Sequence, residues 1–236
     1  LQVAWNADEH RHRWPMHPQD ASPLCGLGHG AAGVAFALQR QPEAHALNAA
    51  AGAREFEALH FNADACSWAD LRADGGGFPH FWCHGSVGIA IERREALRAT
   101  GLSDEAGDRA ALDYAAALQG VRREARRLLQ LPQGAAAGFE LNASQCHGLS
   151  GLIDLLLDSG EASDQDLAQR LGACVRQDAL GPQSWRCGLP GGESSPGLML
   201  GWAGILWGQL RLLEPRQVPL AWAPRLRPDT GSGTSH

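Results

Sequence analysis

Two tripeptides carry the chemistry that is easiest to read: Cys83-His84-Gly85 and Cys146-His147-Gly148. Thiolate sulfur and imidazole nitrogen are the donors zinc favours, and a catalytic zinc site takes three protein ligands and keeps a fourth position for water or substrate. Cys83, Cys146 and one imidazole supply that number. Spacing allows either His84 or His147 as the third ligand, because each follows its cysteine in the same way. In Gly28-His29-Gly30 the motif returns without a thiol. A histidine there, with an ordinary pKa near neutrality, suits proton transfer and equally suits a plain loop role. Cys187, in Cys187-Gly188-Leu189-Pro190, could stand near the same end of the fold. Cys25, Cys66 and Cys174 read as small core or surface residues.

These residues need elements to bring them together, and a repeat provides them. Gly30-Ala-Ala-Gly33, Gly85-Ser-Val-Gly88, Gly148-Leu-Ser-Gly151 and Gly201-Trp-Ala-Gly204 share one G-x-x-G pattern, with first glycines 55, 63 and 53 residues apart. Such a period suits two helices and their loops per unit. An apolar stretch of helical character follows each pair, and a Gly/Pro-rich loop is read before each, so each pair is expected to open a helix. Stacked repeats would then gather the Cys and His loops at one end. Between repeats, 104–131 and 165–180 read as further helices, the first with an Arg122 to Arg127 cluster expected to form a solvated face. Strand signals are poor because β-branched residues nowhere alternate. The expected class is all-α. Residues 24–220 form the expected domain, preceded by a 1–23 segment or linker and followed by a polar, disordered 221–236 tail.

Composition narrows the partners. The chain has 236 residues, a formal net charge of −6 and a pI near 5.9, which argues against a nucleic-acid partner. No apolar run approaches the roughly 18 residues that a membrane span requires. Six cysteines in a chain this long read as free thiols or metal ligands rather than as a disulfide scaffold. All 20 basic residues are Arg, which reflects GC-rich bacterial coding rather than chemistry. The opening stretch lacks the apolar centre of a signal peptide, so a cytoplasmic protein, present as a fragment, is expected.

Trp82-Cys83-His84-Gly85, Gln145-Cys146-His147-Gly148 and Gly26-Leu27-Gly28-His29-Gly30 resemble the signature loops of the lanthionine synthetase C-like family. Trp68-Ala69-Asp70-Leu71-Arg72, Cys187 to Gly192 and Ser195 to Ile205 are similar to the C-terminal part of its class II members, the bifunctional lanthipeptide synthetases. The resemblance implies an α/α toroid of helical hairpins, and zinc held by Cys83, Cys146 and His147. It implies His29 as the catalytic histidine. The implied reaction adds a precursor-peptide cysteine to dehydroalanine or dehydrobutyrine and closes a lanthionine or methyllanthionine ring. The implied partners are the dehydrated precursor peptide and the N-terminal remainder of the same synthetase. Where some members carry Arg four residues before the first metal cysteine, this chain has Pro79. The other function weighed is a non-catalytic zinc module that binds a leader peptide or partner protein.

Overall fold

The computed structural model describes residues 23–72, 75–98, 104–131, 142–179 and 185–221. The expected linker up to residue 22 and the tail from residue 222 lie outside them. The elements run α1 (Ala31–Leu38), α2 (Ala44–Ala58), β1 (Phe61–Asn62), β2 (Ser67–Trp68), α3 (Ser86–Arg98), α4 (Asp104–Leu129), α5 (Leu149–Ser159), α6 (Ala162–Ala179) and α7 (Trp202–Leu213). The fold is helical, as expected. The β1–β2 pair is a two-residue antiparallel ladder that the sequence pattern did not signal, with Phe61 opposite Trp68. Helix α2 was also not expected, because its apolar side is largely alanine: Ala46, Ala49, Ala50 and Ala53 line it with Phe56.

Each of α1, α3, α5 and α7 begins one residue after the first glycine of a G-x-x-G pair. These four helices touch in succession, α1 to α3 to α5 to α7, while α2, α4 and α6 each pack on the helix before them. Helix α5 is apolar nearly all round, and Leu149 to Leu157 are buried throughout, as befits a helix with neighbours on every side. Ile89, Ile91, Ile153, Leu155, Leu156 and Ile205 form the core between the rows. On α7, Trp202, Leu206, Leu210 and Leu213 are exposed and recur at helical spacing on one face. The Arg cluster on α4 is only partly a solvated face: Arg122 reaches Asp164 of α6 through two 2.7 Å bonds and ties the two helices together.

The glycines make the loops possible. A Cβ on Gly88 would fall on the carbonyl oxygen of Trp82, six residues earlier, and one on Gly204 would fall on that of Leu198. Gly33 and Gly151 stand in the same relation to Leu27 and Gln145. Each loop thus folds back over the first turn of its helix. The N–H after the first glycine closes it: Ala31 to Leu24 O (2.9 Å), Ser86 to Pro79 O (3.3 Å), Leu149 to Asn142 O (3.0 Å) and Trp202 to Ser195 O (2.8 Å).

A buried ionic cluster fixes the first of these loops. Glu57 of α2 is fully buried, and its Oε1 accepts the N–H groups of Gly26 and Ala32 at 3.0 Å each. Its Oε2 accepts from Arg93 of α3 at 2.9 Å, and Arg93 also reaches Glu92 and, at 3.0 Å, Asp113 of α4. Burial pushes the Glu57 carboxyl up, while Arg93 and the Gly26 N–H hold it down. One carboxylate therefore joins the residue 24–30 loop to three helices.

Three substitutions test this packing by equilibrium urea denaturation. Gly88→Ala should cost about 1–3 kcal/mol or more by overpacking. Gly107→Ala, where a Cβ meets nothing within 4 Å on α4, should gain about 0.4–1 kcal/mol. Glu57→Ala should cost about 3–5 kcal/mol, since it leaves the Gly26 loop N–H, the Ala32 N–H in the first turn of α1 and part of a buried guanidinium without their acceptor. A loss below about 1 kcal/mol would show that water replaces the carboxylate without penalty.

Candidate metal centre

Four loops deliver the candidate residues, and one register relates them. Two residues ahead of the first glycine stand Gly28, Cys83, Cys146 and Met199; one residue ahead stand His29, His84, His147 and Leu200. The first set is hydrogen-bonded in series. Gly28 N–H donates to Cys83 O (3.2 Å), Cys83 N–H to Cys146 O (3.3 Å) and Cys146 N–H to Met199 O (2.9 Å). Equivalent positions of successive repeats are thus neighbours, and the two thiols come side by side. Gly28 has to be small here, because a Cβ on it would press on Cys83 and on the Trp82 ring.

Cys83, Cys146 and His147 offer ligand atoms that all lie within 4.8 Å of one another, the one such group among the described residues. Spacing left the choice between the two histidines open, and the geometry brings His147 to the thiols while His84 stays outside the group. The His147 Nε2 lies 3.0 Å from Gly188 O, the arrangement of an N–H donating to a carbonyl, and this leaves Nδ1 as the nitrogen able to ligate. Asn142 Nδ2 donates to the His147 carbonyl at 3.2 Å, and Phe81 packs edge-on to its ring. None of Asn142, Phe81 or Gly188 carries a motif that marks it as a supporting group. Cys187 is buried and its chain supplies the neighbouring Gly188 carbonyl, but its thiol is not one of the ligand atoms.

The two thiols share charge unequally. The Cys83 thiol is drawn down to about 4, chiefly because the Cys146 thiol donates a hydrogen bond to it, with His147 adding to the effect against the cost of burial. Cys146 is pushed up by the same bond, by burial and by the adjacent negative charge. The two thiols therefore titrate as a pair rather than singly. Two thiolates and a neutral imidazole form the soft, three-ligand set that suits zinc, and bonds of about 2.0–2.3 Å need little closure from the spacing seen. Cys25 is by contrast a buried thiol that desolvation keeps protonated.

His29 is exposed, and its ring stacks on that of His84, centroids 5.1 Å apart and planes 26° from parallel. His84 is buried; burial holds its imidazole pKa down, and its Nδ1 lies 3.9 Å from Asp70 Oδ1. Arg72 chelates the Asp70 carboxylate through Nε (3.0 Å) and Nη2 (2.6 Å), and this holds Asp70 well inside the ionised range against the cost of burial. In the sequence, Asp70 and Arg72 stand out chiefly as part of the Trp68 to Arg72 motif. Beside His147 opens a cavity of about 250 Å³, lined in part by Phe78, Phe81, Glu124, Leu128 and Leu152.

Comparison with known proteins bears on this geometry. A family model described as lanthionine synthetase C-like protein matches residues 4–222. No curated protein matches the chain. The match spans nearly the whole chain and includes every loop of the thiol and histidine cluster, and the chain belongs to the lanthionine synthetase C-like protein family.

Proposed function

We propose that this chain closes thioether rings in a dehydrated precursor peptide, as the cyclase region of a class II lanthipeptide synthetase. Membership of the family supports lanthionine synthetase-like function in general. The observation that carries the specific reading is the meeting of two thiols and one imidazole within 4.8 Å, with His29 stacked beside Cys83's neighbour. Among the described residues no helix is long and apolar enough to cross a membrane. The exposed apolar stripe on α7 supports further hairpins packing there to complete an α/α toroid.

Cys83, Cys146 and His147 would hold zinc, which when bound lowers the pKa of a substrate thiol and keeps it as thiolate in the open fourth position. In the addition, the substrate sulfur forms a bond to the β-carbon of dehydroalanine or dehydrobutyrine. The π-electron pair moves onto the α-carbon and its carbonyl, giving an enolate. His29 gives its proton to the α-carbon, which completes the ring with no leaving group and no change of redox state. The Gly188 carbonyl orients the His147 imidazole throughout. The cavity beside His147 offers apolar surface to the peptide that carries the reacting residues.

Elemental analysis of purified chain tests the ligand set. About one zinc per chain is expected in wild type and in Cys187→Ala, with loss in Cys146→Ala; a folded, reduced wild type without zinc would sink the reading. Cyclisation of a dehydrated peptide followed by mass spectrometry and thiol alkylation should slow on the order of 10²–10⁴-fold in His29→Ala with zinc retained. Unchanged cyclisation in that variant would remove His29 as the proton donor. Peptide binding without cyclisation by the zinc-loaded wild type would identify the binding-only module instead.

A further inference from the structure

We propose that His84 is a positioning residue: its buried ring, with Asp70 beside it, is the platform that holds the His29 imidazole in one orientation. The proposal rests on the reading of His29 as proton donor.

The need for a platform comes from the chain itself. The backbone on either side of His29 is held by the Gly28 to Cys83 and Ala31 to Leu24 hydrogen bonds, but its neighbours Gly28 and Gly30 offer no side chain to restrain its ring. Its side chain is exposed, and among the described residues its ring makes no hydrogen bond; the stack on His84 is the ring contact that orients it. A proton donor whose ring turns freely loses rate, because the donor must meet one carbon of a bound peptide in one orientation.

His84 is built to serve as a fixed surface. It is 1% exposed, whereas His29 one loop away is open to solvent. Gly26, with φ of +101°, has no Cβ where the Cys83 carbonyl and the His84 Cα pass, so the two loops approach backbone to backbone. The Gly28 to Cys83 hydrogen bond fixes the same approach. On its other side, His84 turns Nδ1 toward Asp70 at 3.9 Å. The Asp70 side chain is only 5% exposed, and its own position is set by Arg72, by the Asp70 N–H bond to Gly77 O (3.1 Å) and by the Arg72 N–H bond to Oδ1 (3.2 Å). A chain of contacts thus runs from Arg72 through Asp70 and His84 to His29. Glu57, which grips Gly26 and Ala32, sets the backbone of the same loop from beneath.

A flat ring is what the stack requires, and a space-filler is all that a core position requires. His84→Phe keeps the ring and His84→Leu keeps only apolar volume, so the two separate the roles. Both are made in the zinc-loaded chain, with zinc content and denaturation midpoint as controls on the site and the fold. The His29 Cε1–H resonance, assigned by its loss in His29→Ala, should keep its ring-current shift in His84→Phe and move toward the free-imidazole position in His84→Leu. Cyclisation should stay within about threefold of wild type in His84→Phe and fall on the order of 10–100-fold in His84→Leu. Equal rates in the two variants, or a His29 resonance unmoved in His84→Leu, would overturn the proposal. If His29→Ala itself cyclises as wild type does, the proton-donor reading fails and the proposal falls with it; if only His29→Ala is slow, the platform alone is wrong.

Discussion

The series of backbone hydrogen bonds from Gly28 to Cys83 to Cys146 to Met199 is the constraint on which the rest of the molecule depends. It joins four loops at one equivalent position, and it exists because each loop is folded tightly enough to offer the same N–H and carbonyl to its neighbour. That tightness comes from glycines whose Cβ atoms would strike a carbonyl six residues back. Side chains at this position and the next are then forced into one cluster. The thiols are adjacent because the backbone beneath them is adjacent.

Adjacency creates an electrostatic conflict that shapes the chemistry. Two thiolates side by side in a partly buried site repel, and the hydrogen bond between the thiols draws Cys83 down and pushes Cys146 up. A dication between the sulfurs would remove that conflict, and this donor set suits one. His147 meets the pair with one nitrogen because Gly188 holds the other. His84, one loop earlier in the same register, faces Asp70 and His29 instead. Equivalent positions in a repeat therefore carry different duties, decided by what each loop finds beside it.

The helices serve this end of the molecule through charge as well as through apolar packing. Glu57 and Arg93 are buried among α2, α3, α4 and the His29 loop. Arg211 of α7 meets buried Asp154 of α5 at 2.6 Å. Each carboxylate is costly to bury, and each is matched by a guanidinium on a neighbouring helix; such pairs reward one arrangement of the helices over others of similar apolar burial. The row of helices is thereby held in the register that the loop hydrogen bonds require.

How much of this was legible in the sequence depends on the range of each interaction. The G-x-x-G pairs, the apolar runs after them and the two Cys-His-Gly tripeptides are local patterns, and by themselves they determined the helical class, the four helix starts and the pool of candidate ligands. Helix α2 and the β1–β2 pair stayed hidden because alanine gives little amphipathic contrast and two-residue strands have no period to read. Spacing left His84 and His147 equivalent, the family resemblance implied His147, and the tertiary structure brings His147 to the thiols; only the tertiary structure decided that Cys187 lends a neighbouring carbonyl rather than its sulfur, and that Glu57, Asp70 and Arg72 belong to the framework of the site. The physical reason is that those outcomes depend on which way a side chain leaves its loop and what lies there. Glu57 meets Gly26 across 31 residues and His147 meets Gly188 across 41, distances over which no local propensity acts and only the stacking of one repeat on the next selects the partner.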